Sequence, residues 1–183
     1  MSRFSPITML FPDFLTWNEE TGNRHELVRG EVVPIAPATG THGLLVSRLT
    51  IRIGMRLKPP CRVYPEAGLA LPDRDTFYVA DLVVACEPVE PENGYIAEPL
   101  LVVEVLSPAT LAYERGIRVP DYIRIPSLQE LLLVDGGERG AQLWRREGER
   151  WMVETIPGAG SVRLLSTDDV IPLPSIYGSL ELD

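Results

Sequence analysis

The chain has 183 residues, 45% hydrophobic and 23% charged, with a mean hydropathy of +0.04. That makeup excludes disorder, collagen and coiled coil and fits one globular domain spanning 1–183. A net charge of −9 and a pI near 4.8 exclude a protein that coats nucleic acid through bulk positive charge.

Met9 to Glu20 carries Leu10, Phe11, Phe14, Leu15 and Trp17, a short amphipathic helix ending near Gly22. His25 to Ala36 reads as a β-hairpin turning at Arg29-Gly30, where glycine tolerates positive φ. Thr41 to Leu57 reads as a helix capped by Thr39 or Thr41 and closed by Pro59-Pro60. Arg48, Arg52 and Arg56 fall four apart, forming one stripe beside an apolar one of Leu45, Leu49 and Ile53. Strands follow at Arg62–Leu71, Phe77–Cys86 and Leu100–Leu106; the last two are nearly continuously apolar, as in central strands covered on both faces. A helix is expected from Thr110 to about Arg124, then strands at Leu131–Asp135, Gln142–Arg146 and Arg150–Ile156. The apolar tail from Asp168 to Leu182 should fold back on the body. Helices among strands point to α/β, bordering on α+β, with a mixed sheet.

No apolar run approaches the roughly 18 residues of a membrane span, and the N-terminus lacks the apolar core of a signal peptide. Cys61 and Cys86 are too few for a disulfide framework and lack metal-site spacing. A reducing cytoplasmic location and no membrane partner are expected. Charge is segregated: no acid lies between Glu31 and Glu66, and no base between Arg74 and Arg115. Such a division suits a metal site beside a phosphate track, or is ordinary surface charge.

The two most apolar strands each contain one acid, Asp81 and Glu104. A carboxylate in a buried strand costs several kcal/mol unless it is paired, protonated or bound to a cation. From neighbouring strands, the two could converge on one hard divalent ion, with the backbone carbonyl of Val105 as a third oxygen. The alternative is two unrelated acids, each paired to an arginine. Thr50 and Ser107 have no base in pattern with them, so a Ser-His-Asp hydrolase has no support. There is no glycine-rich phosphate loop either.

Asp81, the block Val102-Val103-Glu104-Val105-Leu106-Ser107-Pro108, then Tyr113-Glu114-Arg115-Gly116-x-Arg118 and Ile125-Pro126-Ser127-Leu128-Gln129-Glu130 together carry a resemblance. With Glu26-Leu27-x-x-Gly30-Glu31 and His42, they resemble the Uma-type restriction endonuclease family of the PD-(D/E)XK nuclease superfamily, from about Phe14 to the strand at Gln142. The resemblance implies a restriction-endonuclease-like core: a mixed sheet flanked by helices, with an N-terminal helix and hairpin and added C-terminal strands. It matches Asp81 to the aspartate and Glu104 to the glutamate of the family motif. The lysine that the family supplies from the following helix corresponds to Arg118, and Ala80 stands where a proline usually precedes the aspartate. Pro120 should kink or interrupt that helix. Lys58, the only lysine, ends a different helix.

The resulting expectation is a Mg²⁺- or Mn²⁺-dependent enzyme that hydrolyses DNA with a metal-activated water. Asp81, Glu104 and the Val105 carbonyl would hold the metal and Arg118 would assist. His42, Glu26 and Glu31 are further candidates for the catalytic site, against helix-cap and hairpin-surface readings. Arg48, Arg52 and Arg56 would follow the phosphate backbone, or pair with the protein's own acids or a second subunit. The competing expectation is a weakened or inactive nuclease fold serving as a nucleic-acid-binding or protein-interaction module. Either form is expected to be a homodimer.

Overall fold

The structure, a computed structural model, describes residues 6–21, 24–87, 94–107 and 113–178. Helix α1 (Phe11–Thr21) begins where Asp75 Oδ1 accepts from Phe11 N at 2.9 Å. Strands β1 (His25–Val28) and β2 (Glu31–Pro34) form the expected hairpin. Its two turn residues, Arg29 and Gly30, have φ of 53° and 84°, the sense that joins twisted strands most directly. Helix α2 (Gly40–Gly54) is capped by Thr39, whose hydroxyl accepts from His42 N.

β3 (Arg62–Leu71) and β4 (Thr76–Ala85) pair along their whole lengths. Pro65 fits because β3 is an edge strand of the sheet, whose outer side carries, among the described residues, an isolated bridge from Leu69 to Ile96 and no ladder at Pro65. That register runs from Arg62 opposite Ala85, so Cys61 and Cys86 face each other one step further on, and they form a disulfide. One bridge is no framework, but it removes the argument from these two cysteines to a reducing compartment. No described helix is long and apolar enough to cross a membrane.

β5 (Leu101–Leu106) is buried throughout and lies between β4 and β6 (Glu130–Asp135), antiparallel to the first and parallel to the second. The β5–β6 crossover holds a π-helical turn, Glu114–Arg118, followed by a single α-turn, α3 (Val119–Tyr122). Pro120 sits at the start of α3, where it interrupts the regular ladder as expected, because it has no N–H to donate. The first residues of the expected helix, 110–112, lie outside the described ones. β7 (Ala141–Glu147) and β8 (Arg150–Ile156) extend the sheet. A second sheet, β9 (Ser161–Leu164) with β10 (Asp169–Pro172), leads to the short α4 (Leu173–Tyr177).

The architecture is a mixed sheet with flanking helices. On one face, Leu45, Leu49 and Ile53 of α2 pack with Ile171, Leu173 and Ile176 from the tail against Leu82, Val103 and Leu132. On the other, Val119, Tyr122, Ile125 and Leu128 cover Val83, Val102 and Leu131. β4 and β5 are thus sealed on both sides, which is why their sequences are so continuously apolar.

Candidate active site at a fork in the sheet

β3 occupies one edge of β4. On the other edge, β1 pairs only at Phe77 (opposite Leu27), and β5 pairs only at Leu82, Val83 and Val84. Between these contacts β1 and β5 part, leaving a fork along Tyr78–Asp81. The strand amides there still need acceptors, since a buried unpaired N–H costs about 1–3 kcal/mol. Side-chain carboxylates supply them. Glu26 Oε1 accepts from Val79 N at 2.8 Å, and Glu104 Oε2 accepts from Asp81 N at 3.2 Å. On the facing strand, Asp81 Oδ2 accepts from Val105 N at 2.7 Å.

Arg118 closes the fork. One of its terminal nitrogens donates to both oxygens of Glu26, at 2.5 and 2.6 Å, and the other donates to Glu104 Oε1 at 3.1 Å. Tyr122, one helical turn after Arg118, donates to the same Glu104 oxygen at 2.6 Å. The guanidinium carbon lies 5.1 Å from the Tyr78 ring centre and 5.6 Å from that of Tyr113, within cation–π range of both. Glu26, Glu104 and Arg118 are only 4%, 3% and 9% exposed, so these charges are neutralised by one another rather than by solvent. Asp81 is less enclosed. His42, in the first turn of α2, places Nε2 3.1 Å from Asp81 Oδ2 at the open side.

A second buried acid backs this cluster. Asp121, fully buried on α3, accepts from the Tyr78 hydroxyl at 2.7 Å and pairs with Arg74 and Arg29. Burial first, and then the bond to Asp121, push the Tyr78 phenol well above its ordinary range.

Asp81, Glu104, Arg118, His42 and Glu26 therefore meet in one place, and Val105 meets them through its amide. Glu31 and the α2 arginines lie apart from it. Glu31 stands exposed on edge strand β2 beside the hairpin turn, two residue pairs from Glu26, with its backbone bridged to Thr8. The stripe on α2 does not lead to the fork. Arg48 donates to the carbonyls of Ile176 and Tyr177 at 2.8 and 2.7 Å, Arg52 bonds Asp169 Oδ1 and Val170 O, and Arg56 lies 3.8 Å from Asp169. The stripe clamps the C-terminal sheet and α4 because their carbonyls and the buried Asp169 need cationic donors. Sequence reasoning missed Tyr78 and Tyr122, although the four-residue spacing of Arg118 and Tyr122 puts both on one helix face.

The donor set of oxygens suits a hard divalent cation. Among the described residues, no three His, Cys, Asp or Glu side chains are grouped closely enough to hold a metal by themselves. Asp81 and Glu104 would need the Val105 carbonyl and solvent to complete a shell. Both Glu104 oxygens already accept hydrogen bonds, from Arg118, Tyr122 and the Asp81 amide, which leaves Asp81 as the more accessible of the two carboxylates.

A family model described as "Uma2: Putative restriction endonuclease" matches residues 11–182. Two relatives come from Synechocystis sp. The uncharacterized protein slr1290 is 26% identical over 181 residues, covering 96% of this chain and 95% of that one. The uncharacterized protein sll1609 is 27% identical over 154 residues, covering 80% and 86%. A crystal structure from Anabaena variabilis, described as "a putative nuclease belonging to DUF820", superposes with a TM-score of 0.75 at 19% identity, covering 92% of this chain and 97% of that one. At that identity the superposition speaks for a shared fold, the mixed sheet with its flanking helices. The match over nearly the whole chain means that this protein belongs to the Uma2 family, the "Putative restriction endonuclease" family.

Proposed function

We propose that the protein is a divalent-metal-dependent nuclease that hydrolyses DNA phosphodiester bonds with water. The observation that carries this reading is the facing of Asp81 and Glu104 across β4 and β5, where the strands part and Asp81 keeps access to solvent. These carboxylates and the Val105 carbonyl would hold Mg²⁺ or Mn²⁺. Such an ion, when bound, supplies a more acidic water and a polarised phosphoryl oxygen. His42, beside Asp81, holds water or a substrate phosphate at the rim. Arg118 does not deprotonate water, since a guanidinium stays protonated near neutral pH. It fixes the rotamer of Glu104 and adds positive charge where phosphate approaches. The reading counts the active form as a homodimer, which sedimentation equilibrium checks.

The experiment is nicking of supercoiled plasmid DNA by purified protein with Mg²⁺ or Mn²⁺. Cleavage that chelator abolishes, and that is lost in both Asp81→Asn and Glu104→Gln, supports the reading. Wild-type protein that binds DNA but never cuts it, with either metal, overturns it. One observation favours the second reading, a nuclease fold that binds without cutting: Arg118 is a planar guanidinium tied to two buried carboxylates, where the family supplies a lysine.

A further inference from the structure

The main sheet ends at β2, β3 and β8, and two of these strands carry features that keep an edge from pairing with another chain. β2 is four residues long, ends in Pro34 and is bridged through Glu31 to Thr8. β3 carries Pro65 and a left-handed backbone at Glu66, and is bridged through Leu69 to Ile96. β8 has none of these. Seven residues long, it keeps an unbroken register with β7 and contains no proline, glycine or lysine. Among the described residues, no strand pairs with its outer side. Met152 and Val153, on opposite faces of the strand, are 53% and 47% exposed.

The hairpin turn fixes which groups face that outer side. Of the two turn residues only Gly148 has a positive φ, 62°, the type II′ pattern, so Glu147 and Arg150 are the hydrogen-bonded pair that closes the turn. Alternation then points the N–H and C=O of Trp151, Val153 and Thr155 away from β7. A second copy of the strand fits this edge. Laid antiparallel about a two-fold axis at Met152, Trp151 falls opposite the partner's Val153, and the two exchange their outward backbone bonds. Arg150 falls opposite the partner's Glu154 on both sides of the axis, a favourable cross-strand pair. Sliding the strands by two residues in either sense sets Arg150 against the partner's Met152 or the partner's Ile156 and loses both ion pairs. One register therefore matches charge and hydrogen bonding together.

We propose that β8 is the surface through which two copies of this chain associate, joining their sheets edge to edge across a two-fold axis. The inference gives the homodimer of the reading above its interface and rests on that part of the reading alone, not on metal or cleavage. Assembly stops at two chains because each copy offers one unguarded edge.

The test is sedimentation equilibrium of the full-length protein at up to about 100 μM, where a dimer of micromolar affinity is mostly formed. Wild type should be dimeric. Glu154→Arg and Arg150→Glu, both on exposed side chains, each set like charges against one another on both sides of the axis and should weaken the dimer at least about tenfold. Mixed in equal amounts, the two variants restore opposite charges and should form a heterodimer. Val153→Pro removes an outward N–H and no bond to β7, and should be monomeric; if it does not fold, the two charge variants still decide. If wild type is a dimer but both charge variants dimerise as tightly, this inference fails and the homodimer stands on another surface. A wild type that stays monomeric overturns both and leaves the edge to a strand of a different protein. A series of larger species overturns closure at two chains. Plasmid nicking judges the nuclease reading separately in every case.

Discussion

Asp81 and Glu104 each accept a hydrogen bond from the other's strand: Glu104 takes the amide of Asp81, and Asp81 takes the amide of Val105. The pair therefore has two functions, ending the β4–β5 ladder without orphan amides and holding two anions side by side. These functions are separable by substitution. In Asp81→Asn the amide oxygen still accepts from Val105, so stability should change by less than about 1.5 kcal/mol. Cleavage and Mn²⁺ binding should be lost nonetheless. Urea denaturation beside a nicking assay reads both.

Glu26 is a structural counter-ion at the far side of the same fork. Glu26→Ala leaves the Val79 amide unpaired and Arg118 short of its two closest bonds. A loss of about 3–5 kcal/mol is expected from breaking a buried pair on one side. Glu26→Gln, which keeps an acceptor for Val79, should recover part of it in the same denaturation experiment.

Arg118→Lys tests what the guanidinium costs in catalysis. The side chain at 118 reaches Glu104 despite Pro120, so the exchange places an amine within the site. A lysine can lower its pKa when desolvated and can orient water, but it cannot span Glu26 and Glu104 with a planar fork. Metal-dependent nicking should rise at least about tenfold, equivalent to about 1.4 kcal/mol of barrier, while the melting temperature falls. No cleavage by a folded Arg118→Lys protein would favour the module that binds without cutting.

The arginine stripe of α2 is expected to matter for folding and not for DNA. Replacing Arg48, Arg52 and Arg56 together with Gln removes the donors to Ile176, Tyr177, Val170 and Asp169. Stability should drop by about 2 kcal/mol or more, because Asp169 is left buried without its cations. The slope of DNA affinity against salt should stay as in wild type, whereas a true phosphate track would lose roughly one counterion per contact.

Tyr78 carries a pH signature. Its phenol is raised in the folded protein by burial and then by Asp121, while the unfolded chain ionises it near 10. The unfolded state therefore gives up the proton first, so stability is intact below about pH 10 and declines above it. Tyr177 is raised too, mainly by burial, and acts in the same direction. Tyr78→Phe should flatten part of the alkaline decline in a melting series. Ultraviolet difference spectra at alkaline pH should show Tyr78 un-ionised until the protein unfolds.

The local elements were legible in the sequence because each depends on its own residues. The hairpin turn at Arg29-Gly30, the cap at Thr39, strand Arg62–Leu71 and the interruption at Pro120 follow from backbone preferences. Asp81 and Glu104 stood out because an acid in a sealed apolar strand needs a reason. The fork did not stand out, since it requires β1 and β5 to share one edge of β4, a pairing no local pattern encodes. The α2 stripe left two readings open for the same kind of reason: Asp169 lies 117 residues beyond Arg52. β9 was missed because four alternating residues give too little periodicity to separate from a loop.

The clamp between α2 and the C-terminal segment also bears on how the chain is made. A ribosome adds about 5–20 residues per second, so α2 leaves the exit tunnel well before its carbonyl and carboxylate partners are synthesised. Until then the Leu45, Leu49 and Ile53 face lacks the apolar cover that Ile171, Leu173 and Ile176 provide. The nascent polypeptide cannot settle this core until Ile171, Leu173 and Ile176 have emerged, and such long-range closure makes for slow folding. A chain released early, before residue 169, would leave that face open to other proteins and become a target for chaperones and proteases.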